Sequence, residues 1–342
     1  MPNQDLFNQF EAFVEMPITD GHLHVWKGYQ SGQIWSLLKE VGVLRCNALS
    51  LNNFDQGGTL NKEALHFKKT SNGMAYAFGS LDYTRHLQGE RLSPEDLVTQ
   101  AENLKALGFD GIKMWEGKPL AYIVLPDRLD GAFFDPYFAW MEEQGFPIIL
   151  HLADAPRFWD PTRKNLDPWS FADAPYPSRQ QMYAEMEAVL ARHPRLKLIL
   201  AHFLFLWDDL REAGRILDAY PSIAFDLTPG VQGFVDLSRD ARAAHKFFVQ
   251  YQDRLIYGTD IGALPLLDPA VQFDLAREAG QPWLVRSFLE TNWDIPFPNQ
   301  IGITANAFEG QRLRGIALPT SALKKIYQLN FERMVGATPS KC

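Results

Sequence analysis

The chain has 342 residues, 46% of them hydrophobic and 22% charged, with a formal net charge of -8. That is a soluble, globular balance with enough length to bury a large core, and the acidic excess argues against a nucleic-acid partner. No run of about 18 apolar residues occurs, so no membrane span is expected. The cysteines Cys46 and Cys342 form neither a disulfide framework nor a CxxC metal pair. The opening MPNQDLFNQF has no basic stretch followed by an apolar run, so a cytoplasmic location is expected.

Short, nearly continuous apolar runs recur along the chain. They predict eight strands, at Ile18 to Trp26, Val43 to Leu51, Met74 to Asp82, Asp110 to Trp115, Pro147 to Ala153, Lys197 to Phe205, Ser222 to Leu227 and Arg254 to Asp260. The runs lack in/out alternation, as strands covered on both faces do. Amphipathic helices are predicted between them. Ser93-Pro94-Glu95-Asp96 supplies an N-cap, a proline in the first turn and two acids before a helix that stops at Gly108. Further helices are expected at Gly32 to Glu40, Leu60 to Lys69, Asp135 to Gln144, Ser178 to Arg192, Asp208 to Ala219 and Leu237 to Tyr251, with a closing helix in LPTSALKKIYQLNFERMVG.

Eight strand–helix units in one chain predict closure into an α/β (β/α)8 TIM barrel, as a single domain over residues 1–342. The alternative is an open doubly wound sheet, and the absence of a phosphate-type glycine loop after the first strand counts against it. Two segments are too long for plain loops, Ala155 to Pro177 and Gly262 to Leu318. Both leave strand ends, which places them on the face that carries active sites in barrels. The first holds Arg157, Phe158, Trp159, Trp169, Phe171 and Tyr176, a composition suited to a substrate pocket.

The chemistry-bearing signals sit at strand ends. In TDGHLHVW, His22 and His24 are two apart, so both face one side of the first strand. Alone that pair is a weak signal. However, His151 and His202 also lie in apolar strands, where an imidazole makes a poor filler because its nitrogens need partners. Asp260 ends the eighth run, LIYGTD. Ends of strands 1, 5, 6 and 8 converge at one barrel mouth, and three histidines plus a carboxylate with an open position make a catalytic zinc-type site. His66, His86, His193 and His245 fall in predicted helices or loops and are expected at the surface. Arg157 and Arg179, in or beside the aromatic insertion, are candidates for a bidentate grip on a substrate carboxylate. Trp159 is a candidate pocket wall, and Asp226 a candidate partner that orients a histidine.

Taken together and in order, DGHLH, IILHLAD, LILAHF, YGTD and the closing LPTSALKKIYQLNFERMVG resemble the amidohydrolase superfamily. The likeness is to its amidohydrolase-related branch, which includes aminocarboxymuconate-semialdehyde decarboxylase-like enzymes, and it spans essentially the whole chain. The resemblance implies His22, His24, His151 and Asp260 as ligands of a divalent metal, one Zn2+ or a substitute such as Mn2+. It implies His202 beside the attacking water and the substrate, and a homo-oligomer, a dimer, as the assembly. That branch often follows the sixth-strand histidine with glycines, whereas here Phe203-Leu204-Phe205-Leu206-Trp207 follow. Some superfamily members carboxylate a fourth-strand lysine to bridge two metals; one metal and an unmodified, substrate-facing Lys113 are expected here, with Glu116 as a pairing partner. These features imply metal-dependent hydrolysis of a small carboxylate-bearing ester, lactone or amide, with catalysis by Asp260 and His202. Nonoxidative decarboxylation of an aromatic or unsaturated acid is the alternative, and a non-catalytic metal-binding barrel the remote one.

Overall fold

The apolar runs form eight parallel strands: β1 (Thr19–His24), β2 (Arg45–Leu49), β3 (Ala75–Gly79), β4 (Gly111–Gly117), β5 (Ile148–Leu152), β6 (Leu198–Leu200), β7 (Ile223–Asp226) and β8 (Leu255–Ile256). The computed structural model describes residues 8–54, 57–164, 170–173, 175–229, 232–268, 270–297 and 310–342. The strands pair in sequence order. Backbone bonds from Gly21 N to Tyr257 O at 2.9 Å and from Asp260 N to His22 O at 2.9 Å bring β1 against the segment that follows β8. The nearly closed TIM barrel expected from the sequence is therefore present.

Helices separate the strands. The predicted start at Ser93 is a capping box: Asp96 N donates to Ser93 Oγ, and Ser93 N to the Asp96 carboxylate. Such a cap stabilises a helix by about 1 kcal/mol. The predicted Leu237 to Tyr251 helix is two, Gly233–Arg239 and Ala241–Gln250, because Asp240 leaves helical geometry and caps the second through Ala243 N. Between β8 and the closing segment lie a helix at Leu275–Glu290 and an antiparallel strand pair, β9 (Asp294–Pro296) with β10 (Arg312–Arg314).

The closing helix is interrupted. Thr320–Lys324 and Asn330–Val335 are α-helical, and Lys325–Leu329 between them is a π turn. It fixes the barrel floor: Ile326 O accepts from Tyr257 N, and Asn330 Nδ2 donates to Leu255 O at 2.7 Å. Phe331 and Met334 then pack with Leu49, Tyr76, Phe78, Ile149, Ile199 and Ile256 to fill the barrel interior. Gly21 gives close packing there: a Cβ would lie 3.0 Å from both Ile256 and Phe331.

The predicted sixth and eighth strands are too long. β6 stops at Leu200, since His202, Phe203, Leu204 and Phe205 all have positive φ. β8 stops at Ile256, and Asp260 has φ 65°. His193, expected at the surface, is buried and bonded to Asp135 at 3.1 Å. Among the described residues, no helix is long and apolar enough to cross a membrane.

Candidate metal centre and pocket

β1 ends with His22 and His24 on one side, and the turn after β8 brings Asp260 to meet them. Asp20, buried in β1, sets this junction by accepting from His22 N, Thr259 N and Thr259 Oγ1. Burial pushes the Asp20 carboxyl up to about 7. Gly258 keeps the junction tight: a Cβ there would fall 2.4 Å from Thr228 Oγ1 and 3.1 Å from His22 Cβ.

Three donor atoms converge. His22 Nε2 lies 3.3 Å from His24 Nε2 and 3.6 Å from Asp260 Oδ1, and His24 Nε2 lies 3.2 Å from that same oxygen. A tetrahedral ion with bonds of about 2.0–2.1 Å holds neighbouring ligands about 3.4 Å apart. The set His22, His24 and Asp260 therefore fits a divalent metal in both spacing and donor chemistry. His22 Nδ1 is 2.7 Å from Asp226 Oδ2, the bond expected of Asp226. With the carboxylate accepting there, the His22 proton sits on Nδ1 and the Nε2 lone pair is free to bind a cation.

The electrostatics agree. Burial, with Lys113 nearby, pushes the His22 imidazole well below its ordinary value. Burial also lowers His151 and His202 to about 4 each. All three are neutral at pH 7 and available as lone-pair donors. Burial alone would raise Asp260, but the hydrogen bond from His24 holds it well below the usual carboxylate range.

His151 stands apart from this set. Its Nε2 is buried without a hydrogen-bond partner and lies 3.8 Å from Asp154 Oδ1. Its ring centre is 4.9 Å from that of His202, which is 5.3 Å from that of His22. The four predicted histidines thus line one mouth, but only His22 and His24 converge with Asp260. Lys113 is fully inside, its Nζ 3.4 Å from His22 Nε2, and burial lowers its amine to about 8. It lies outside the pocket lining; the Glu116 suggested as its partner attracts it electrostatically and also accepts from Asn52 Nδ2 at 3.4 Å.

His202 rides on an unusual turn. The φ angles of residues 202–205 are 55°, 56°, 54° and 52°. Left-handed backbone costs about 1–2 kcal/mol per residue for an L-amino acid, so four in succession persist only where their surroundings fix them. Asp226 Oδ1 accepts from His202 N at 2.8 Å at the start. Phe203 stacks on Trp207 and packs against Phe225, Phe247 and Phe248. The turn lays Phe205 over the His202 ring, centres 5.1 Å apart.

A pocket opens beside these groups. Its lining includes His151, His202, Phe205, Asp260, Arg157 and Phe158, with Trp207, Asp208, Asp236 and Arg239 farther round. The structure brings Arg157 to this wall as predicted, but neither Arg179 nor Trp159 is in the lining. Arg179 donates to Phe205 O and Tyr183 OH, and Trp159 Nε1 donates to Pro177 O, tying the insertion to itself. Trp169 lies outside the described residues. Sequence reasoning missed the buried Lys118–Asp154 ion pair in the lining, at 2.7 Å. Its signal was a charge next to the ends of two apolar strands, in EGKP and LHLAD.

Asp226 serves several donors at once: Oδ2 faces His22, and Oδ1 faces both His202 N and Thr228 N. Asp226→Asn keeps the shape, but its amide oxygen can serve only one side while its NH2 confronts a donor on the other. Zinc affinity, measured by competition with a chelator, is expected to fall about 10–100-fold.

A (β/α)8 barrel with histidines and an aspartate gathered at its strand ends is an arrangement able to hold a catalytic metal ion. The family model described as amidohydrolase matches residues 84–337, and the chain belongs to the amidohydrolase family. Solved structures share the barrel. An uncharacterized TIM-barrel protein from Bordetella bronchiseptica is 14% identical, covering 94% of this chain and 99% of that one, with a TM-score of 0.57. The 5-carboxyvanillate decarboxylase from Sphingomonas paucimobilis is 11% identical, covering 94% and 99%, with a TM-score of 0.56. A putative 2-pyrone-4,6-dicarboxylic acid hydrolase from Pseudomonas putida is 14% identical, covering 95% and 99%, with a TM-score of 0.53. At these identities the likeness concerns the fold. No curated protein sequence matches the chain.

Proposed function

We propose that the protein is a metal-dependent hydrolase of a small, carboxylate-bearing ester, lactone or amide, working with one zinc-like ion held by His22, His24 and Asp260. The observation that carries this reading is that the donor set and the pocket share Asp260, with His202 beside it. A divalent ion there supplies a Lewis acid and lowers the pKa of water toward neutrality. The chain's own groups do the rest. Asp260, held ionised and partly exposed to the pocket, takes a proton from the attacking water. His202, neutral and with Nδ1 unpaired, hydrogen-bonds the substrate oxygen or passes the proton on to the leaving group. Arg157, in the pocket lining, grips the substrate carboxylate. The water oxygen bonds to the acyl carbon, the carbon–oxygen or carbon–nitrogen bond breaks, and the proton leaves with the alcohol or amine.

Nonoxidative decarboxylation is the second reading, and the arginines in the pocket lining, Arg157 and Arg239, are what favour it, since that reaction needs a carboxylate anchor. A metal-supplemented screen of lactones, esters and carboxylated aromatics in oxygen-labelled water separates the two. Hydrolysis places solvent oxygen in the product. Stoichiometric carbon dioxide, with solvent hydrogen in a product C–H bond and no solvent oxygen, would overturn the hydrolase reading and leave the barrel and donor set standing.

The aromatic insertion contributes Arg157 and Phe158 to the pocket, and Phe171 backs them, its N–H bonded to Phe158 O. Shortening the segment between 160 and 177 is expected to shift substrate preference while leaving bound metal unchanged. Unaltered kcat/KM across all substrates would make it a surface loop.

A further inference from the structure

We propose that Arg179 and Tyr183 are positioning residues, whose task is to hold the left-handed turn that presents His202 and Phe205 to the pocket. The inference rests on the reading of His202 given above. Residues 202–205 are four consecutive non-glycine residues at positive φ, and among the described residues three side chains hydrogen-bond their backbone from outside the turn. At the entry, Asp226 Oδ1 receives His202 N. At the exit, Tyr183 Oη donates to Leu204 O and Arg179 Nη2 donates to Phe205 O, each at 2.8 Å.

The two exit groups act as one unit. They sit four residues apart, on the same face of the Arg179–Arg192 helix. Arg179 Nη2 donates to Tyr183 Oη at 2.8 Å, and the guanidinium lies 5.4 Å from the Tyr183 ring centre. Consecutive carbonyls of a left-handed turn point where a right-handed turn would not put them, so donors fixed at those points select the left-handed form. That form sets Phe205 against His202 and within 5.4 Å of His151, ring centre to ring centre. Released from the clamp, the turn has more favourable backbone conformations open to it, and each would carry the His202 ring elsewhere.

The test uses the zinc-loaded full chain and two variants, Tyr183→Phe and Arg179→Ala/Tyr183→Phe, with 4-nitrophenyl acetate as a hydrolysis probe. Crystal structures of the double variant are expected to show residues 204–205 out of the left-handed region and the His202–Phe205 stack broken. Zinc content should stay at the wild-type level and kcat on the probe should fall about 10–100-fold with KM within about 2-fold. Tyr183→Phe, which removes only a hydroxyl, provides the same readouts if the double variant does not fold, with a smaller fall. Arg179→Lys, still able to reach one carbonyl, should recover part of the loss. A turn unchanged in either variant would overturn the proposal, whatever the rate. A turn that opens with kcat unchanged would instead uphold the clamp and remove His202 from the chemistry.

Discussion

Replacing Asp260 by asparagine is expected to lower turnover by about two to four orders of magnitude, the range associated with losing a general base. The substitution isolates the proton acceptor. Asparagine is nearly isosteric with aspartate, keeps an oxygen directed at His22 Nε2 and His24 Nε2, and tolerates the left-handed backbone at this position, where φ is 65°. What disappears is a carboxylate that the hydrogen bond from His24 keeps ionised. Steady-state kinetics on the substrate found by the screen provide the check, with metal analysis alongside. Part of the metal should remain, because His22 and His24 persist. A variant that turns over within about threefold of wild type while holding metal would show that the base lies elsewhere, and Asp154, near His151 in the same pocket, would be the next group to test.

How far the site could be read in advance varied with the range of the interactions involved. The barrel was legible because parallel strands buried on both faces leave continuous apolar runs, and β1 to β5 fall inside their predicted limits except where β4 runs on to Gly117. The HxH pair was legible because strand periodicity alone puts His22 and His24 on one side. The end of β6 was not. AHFLF has the composition of a strand, and the left-handed turn it makes depends on Asp226, Arg179 and Tyr183, each distant in sequence. Without glycine, nothing local announces positive φ there. Arg179 was misplaced for the same reason: a charged residue at a helix start gives no hint that a neighbouring carbonyl, rather than a ligand, will receive it. Asp20 and Lys118 went unread because a buried charge at a strand end looks like any solvated one until its partners are known.

The second large effect follows from removing the paired imidazoles. His22 and His24 contribute two of the three converging donor atoms, and in His22→Ala/His24→Ala only Asp260 would remain of them. His151, the other predicted ligand, stands beside His202 and does not join that group. A single carboxylate with no imidazole partner does not make a zinc site. Both side chains are buried, so the variant also loses packing, and a melting curve with far-UV dichroism must show that it still folds. The measurement that bears most directly on the whole account is elemental analysis of the native protein beside this folded variant. About one zinc-like divalent ion per chain is expected in the native protein and close to none in the variant. Equal metal content in the two would contradict the metal centre, and with it the hydrolytic chemistry built on it.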